Sequence, residues 1–142
     1  MNNRMVVLAG ALTMAGVLML GGLSSAQVTK GKTRPLTTKQ LMSGLVRPNC
    51  ATLGDTFKAT GPADEKGWEA AAANAALLNE AGHILMADGR CPDGTWAGAC
   101  KILQDCSQVA LTKIEAKDAA GTKEAFTALT KSCSSCHAVH KK

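Results

Sequence analysis

The sequence predicts an all-α protein, an antiparallel four-helix bundle of up-down-up-down topology that follows a cleaved signal peptide. Three observations predict it. Apolar residues recur at three- and four-residue steps in four successive stretches, Gly, Pro and Asp separate those stretches, and β-branched alternation is absent. Helices of roughly 20 residues joined by short connections favour an up-down-up-down arrangement.

The leader comes first. Arg4 supplies one positive charge, residues 5–20 form an apolar run broken only by Gly and Thr, and Ser24-Ser25-Ala26 offers small residues for cleavage. Residues 1–26 therefore read as a secretory signal peptide, and the protein as exported to the periplasm. The rival is an uncleaved membrane anchor, because residues 5–23 nearly reach the ~20 residues that a span requires. Contact with a membrane is expected only in that case. Removing residues 1–26 leaves 116 of the 142 and lowers the net charge from +5 to +4, since Arg4 is the only charged residue lost. Residues 27–35 are polar and basic without an apolar period, and are expected to be a flexible lead-in; residues 36–142 form the bundle domain.

In the first helical stretch Leu41, Leu45, Val46, Asn49, Leu53 and Phe57 repeat at helical spacing up to Gly61-Pro62, with Pro48 in conflict. An interior proline removes a hydrogen bond, so this stretch is expected to be bent or to split into two shorter helices. The second begins near Asp64 and carries Trp68, Ala71, Ala75, Leu78, Gly82 and Leu85, ending at Asp88-Gly89. Asp93 is placed to cap the third, whose predicted seam is Trp96, Ala99, Leu103, Cys106 and Ala110. The fourth follows the break at 118–121 and carries Phe126, Leu129, Cys133, Cys136 and His140.

Only four side chains are aromatic: two Trp, two Phe and no Tyr. Ala-rich seams bring helices close but fill little volume, so this core is expected to pack poorly unless something else occupies it. The basic balance does not indicate nucleic acid, because Lys and Arg are neither clustered with nor interleaved by stacking rings.

Cys133-Ser134-Ser135-Cys136-His137 carries the chemistry. Cys-x-x-Cys-His is a c-type haem attachment sequence: two thiols hold the macrocycle, and the adjacent imidazole reaches the iron. On a helix, residues three apart share a face and the His follows one step on. A redox pair of the thioredoxin kind would need a lowered thiol pKa, which the C-terminal end of a helix opposes. A zinc site would need a second Cys/His pair at knuckle spacing, and Cys50, Cys91, Cys100 and Cys106 provide none. In the predicted topology Met42, His83, Met86, Trp96, His137 and His140 gather at one end, a haem pocket with His137 as the metal ligand. For the sixth position the residues alone leave Met42, His83, Met86 and an open site as alternatives. The four remaining thiols allow three full pairings, and Cys100 with Cys106 is the least plausible pair because the two point to different faces.

With its signal peptide, four helical stretches, haem motif at the C-terminus and Leu41-Met42 early in the first helix, the chain resembles the class II cytochromes c, the cytochrome c′ family, of low-spin type. The resemblance spans the chain beyond the leader, although only the haem motif is highly specific. It implies one covalent haem c on Cys133 and Cys136, His137 and Met42 as metal ligands, and an electron carrier rather than an enzyme, serving redox partner proteins. It also implies a possible homodimer through the first two helices. Lys141 stands where the family commonly has Arg, which keeps a charge but not a planar fork. Thr38 stands where many five-coordinate relatives carry Arg, a departure from their gas-ligand chemistry. Two other functions compete: a five-coordinate haem protein that binds or senses a small gas such as NO, and a disulfide-stapled helical binding protein without a cofactor.

Overall fold

Each of the four helices among the described residues starts where a side-chain oxygen can satisfy its first free N–H groups. Thr37 and Gln40 form a reciprocal capping box at the first helix. Asp64 accepts from the N–H of Gly67 at 2.8 Å, Asp93 from Trp96 at 2.9 Å and Asp118 from Gly121 at 2.8 Å. A computed structural model describes residues 29–141. The signal peptide and the alternative anchor expected at the N-terminus lie outside them. The helices are α1 (38–58), α2 (Glu65–Met86), α3 (Gly94–Glu115) and α4 (Ala119–His140). Among the described residues there is no strand, only an isolated bridge between Lys30 and Thr37.

Contacts at the two ends show the up-down-up-down course. At one end Phe57 of α1 packs on Trp68 of α2, and Lys117 before α4 pairs with Glu65 at the start of α2. At the other, Trp96 of α3 donates its indole N–H to the Leu85 carbonyl of α2 at 2.9 Å and meets His140 of α4 edge-on. The α2–α3 and α3–α4 pairs pack most extensively, whereas α1 rests on α2 and only lightly on α4. Among the described residues no helix is long and apolar enough to cross a membrane.

Pro48 does not split α1, whose helical course is unbroken from 38 to 58. The helix runs as Thr38–Leu41, a π turn over Met42–Val46, and Arg47–Lys58. Within the turn Arg47 N–H donates to the Met42 carbonyl, five residues back, and Asn49 Nδ2 donates to Leu45 O at 2.6 Å. The wider turn accommodates a proline that has no N–H for the Gly44 carbonyl. It also leaves a mark in the burial pattern: Thr38, Leu41, Val46, Asn49, Leu53 and Phe57 are buried, with one five-residue step, from Leu41 to Val46.

The α2 seam is close to the predicted one, with Ala71, Ala75, Leu78, Gly82 and Leu85 buried and Trp68 at its edge. Two seams are rotated. In α3 the buried line is Trp96, Cys100, Leu103, Ser107, Ala110 and Ile114, so Cys100 and Ser107 take the places expected of Ala99 and Cys106. In α4 it is Thr122, Ala125, Leu129, Ser132 and Cys136, which turns Phe126 and Cys133 toward α1.

The segment expected to be flexible is tied down from Thr29 onward. Its Thr29 carbonyl accepts from Thr38 N–H at 2.8 Å, and Asp88, in the α2–α3 connection, accepts from the N–H groups of Thr33 and Arg34, each at 2.9 Å. Arg90, 1% exposed, donates to the Leu36 carbonyl at 3.1 Å and lies 3.4 Å from the Asp88 carboxylate. A side chain on Gly31 would collide with both Asp88 and Arg90. Its composition gave this strap no apolar period; a buried ion pair and main-chain hydrogen bonds fix it instead.

Burial alone would raise the Asp88 carboxyl, but the N–H groups of Thr33 and Arg34, the Thr33 hydroxyl and the Arg90 charge outweigh it and hold the group at about 2, down from its ordinary 3.8. A depressed folded-state pKa contributes stability that is complete above 3.8 and disappears as pH falls through about 2. The difference in melting temperature between the wild type and Asp88→Asn should therefore be constant above about pH 5 and close toward pH 2. A gap of the same size at pH 2 would show that the carboxylate charge does not hold the strap.

Candidate functional site

The rotation of α4 and the light contact between α1 and α4 open a cleft between these two helices. Its inner part is an apolar cavity of about 50 Å³ lined by Met42, Leu85, Trp96, Cys100, Cys133, Cys136 and His137, among others. Its outer part is a groove of about 730 Å³ in which Met42, Val46 and Cys50 of α1 face Cys133 and His137 of α4. Met42, Val46, Cys133 and His137 line both parts, so the two adjoin. The groove falls within the ~300–1,000 Å³ usual for small-molecule and cofactor sites.

Local structure places each of these side chains. Cys133 and Cys136 lie one turn apart on α4; Cys136 is buried and Cys133 half-buried. His137, one residue on, is exposed at the cleft mouth. Met42 opens the π turn of α1 and is half-buried on the opposite wall. Trp96 forms the floor, and His140, its ring against the Trp96 edge, has a buried Nε2 with no hydrogen-bond partner, 3.4 Å from Asp93 Oδ1.

Among the sixth-ligand alternatives, the cleft takes in Met42 alone. His83 and Met86 are exposed on α2 and line neither the cavity nor the groove. The predicted gathering at one end is correct as topology, but on α2 only Leu85 reaches the cavity.

Two thiols that sequence reasoning left without a role also belong to this site. Cys50 shares the groove with Cys133, and Cys100 shares the cavity with Cys133 and Cys136. Burial pushes Cys50 up to about 12, with the Cys133 thiol adding to it. Burial likewise pushes Cys100 up to about 12, with Cys136 and Cys91 adding. Cys133 is raised by burial, and Cys136 by burial and then by Cys133 and Asp93. No thiol here has the lowered pKa of a redox-active cysteine pair. Cys106 lies apart, in a groove between α3 and α4 with Lys113, Asp118 and Ala125.

His137 is shifted below its ordinary 6.5 by burial and then by the charge of Lys141, which favours the neutral imidazole a metal requires. The donor set fits a haem. Two protonated thiols and an imidazole stand on one wall of a mostly apolar cleft, a thioether stands on the other, and an indole forms the floor. No protein-family model, curated protein or solved structure matches the chain.

Proposed function

We propose that this chain is an exported c-type cytochrome, carrying one covalent haem in the α1–α4 cleft and passing single electrons between redox partner proteins. One observation supports the reading above others: Cys133, Cys136 and His137 line the same cleft as Met42, from facing helices. A bound haem would supply a one-electron couple. The chain's own part is attachment, ligation and exclusion of water. Cys133 and Cys136 would hold the haem by adding S–H across its vinyl double bonds, sulfur to one carbon and hydrogen to the other, with no oxidant consumed. The His137 imidazole offers a lone pair from the α4 wall and the Met42 thioether one from α1. Leu85, Leu103 and Trp96 keep the interior apolar, and the groove is open to solvent on the side where an electron would pass.

Expression with a c-type haem maturation system is expected to give a chain that retains haem after extraction with acidified acetone. Cys133→Ala together with Cys136→Ala should release all of it. A wild-type chain that retains none would overturn the reading.

A further inference from the structure

The net positive charge of the described residues lies in the strap and the first half of α1. Residues 29–54 hold Lys30, Lys32, Arg34, Lys39 and Arg47 with no acidic residue, while residues 55–141 carry two more acidic than basic side chains. All five basic residues are exposed, and none is ion-paired among the described residues. In residues 55–141, by contrast, four lysines have an acidic partner, Lys58 with Asp55, Lys101 with Asp105, Lys113 with Asp118 and Lys117 with Glu65, and the unpaired Lys66, Lys123, Lys131 and Lys141 are outweighed by the acidic excess of that stretch.

The fold fixes this charge in place. Lys32 N–H donates to the Asp88 carbonyl at 3.0 Å, and the Asp88 carboxylate receives the next two N–H groups. Lys30, Lys32 and Arg34 are thus carried on a pinned backbone, with only their own side chains free. Arg90 adds nothing to the patch, because it is buried against Asp88. The strap continues into Lys39 and Arg47, which border the groove together with His137 and Lys141. The three strap side chains line neither the groove nor the cavity, so holding a cofactor does not account for them.

We propose that the strap and the adjoining turn of α1 form a docking surface for an acidic redox partner protein, seating it over the cleft mouth at His137. The inference rests on the cytochrome reading. A fixed patch of one sign steers an oppositely charged partner and raises its association rate by roughly 10–10³-fold, an effect that salt removes.

The test is stopped-flow oxidation of the reduced haem-loaded chain by two small reagents, anionic hexacyanoferrate(III) and cationic tris(phenanthroline)cobalt(III), with poly-L-glutamate as a competing polyanion. The hexacyanoferrate rate should fall about tenfold between low and high salt, the cobalt rate should not fall, and poly-L-glutamate should slow the former. Lys30→Glu, Lys32→Glu and Arg34→Glu together should cut the low-salt hexacyanoferrate rate about tenfold, and the corresponding Gln variant by less. The same charge change at the opposite end, in Lys66→Glu, Lys117→Glu and Lys123→Glu, should alter it less than about twofold. Equal slowing by both triple variants, or no dependence on salt, overturns the proposal. So does binding to phosphatidylglycerol vesicles that the strap variant loses while its rates stay unchanged, since the patch would then serve a lipid surface. A chain with no covalent haem overturns both readings; a haem protein indifferent to the strap overturns this one alone.

Discussion

Trp96→Ala is expected to lower the unfolding free energy of the haem-free chain by about 3–5 kcal/mol, the range for a large buried aromatic. Trp96 is 2% exposed in a protein with only four aromatic rings. Removing it enlarges a cavity that already exists beside it, leaves the Leu85 carbonyl without its indole donor, and takes away the edge against which His140 packs. Small domains hold only about 5–15 kcal/mol in total, so the loss is a large share. Urea unfolding measures it. Trp96→Phe keeps the ring and gives up the hydrogen bond, and should cost about 1–2 kcal/mol. A Trp96→Ala loss below about 1.5 kcal/mol would mean that α1 and α4 collapse into the space, and that the cleft is not held open by its walls.

The second large effect belongs to Met42. In the haem-loaded chain, Met42→Ala should change a low-spin ferric spectrum to a high-spin one and lower the midpoint potential by on the order of 0.1 V, a fraction of the ~0.8 V that axial ligands span. The sign follows from the thioether, which favours reduced iron. His83→Ala and Met86→Ala should leave the spectrum unchanged, because neither side chain lines the cleft. Pro48→Ala should act in the same direction as Met42→Ala, but partially. Restoring an N–H at position 48 favours a regular helix, and losing the extra residue of the π turn would swing residues 38–42 by about 100° relative to the rest of α1. A wild-type spectrum that is high-spin and insensitive to Met42 would instead support a five-coordinate gas-binding haem protein.

The helices were legible because each carries its own punctuation. Asp93 caps α3 as its position predicts, Asp64 and Asp118 prove to be the caps at the expected start of α2 and at the break before α4, and Gly61-Pro62 and Asp88-Gly89 follow the ends of α1 and α2. Cys133, Cys136 and His137 were legible because Cys-x-x-Cys-His is a recognisable spacing, whereas Cys50 and Cys100 have no motif and only the fold brings them to the same cleft. The rotation of α3 was not. Ala99 and Cys106 differ too little in hydrophobicity from Cys100 and Ser107 for periodicity to choose between the two lines, and packing against Gly82 of α2 decides. A side chain on Gly82 would press on Gln104 Cγ at 2.7 Å and Cys100 O at 3.2 Å, so the two backbones lie close there. The strap could not be read either. Asp88 and Arg90 look like loop charges until the fold buries them against main-chain groups more than 50 residues away in sequence. The π turn announced itself only as a misplaced proline.

The uneven packing of the four helices has a consequence for the order of assembly. The α3 helix packs extensively on both α2 and α4, while α1 is secured by the strap at one end and by Phe57 against Trp68 at the other, with an open groove between it and α4. Hydrogen exchange should therefore find α1 the least protected helix, a hinged panel on a stiff frame. Bulky cargo need not thread the groove if that panel is the last piece to close.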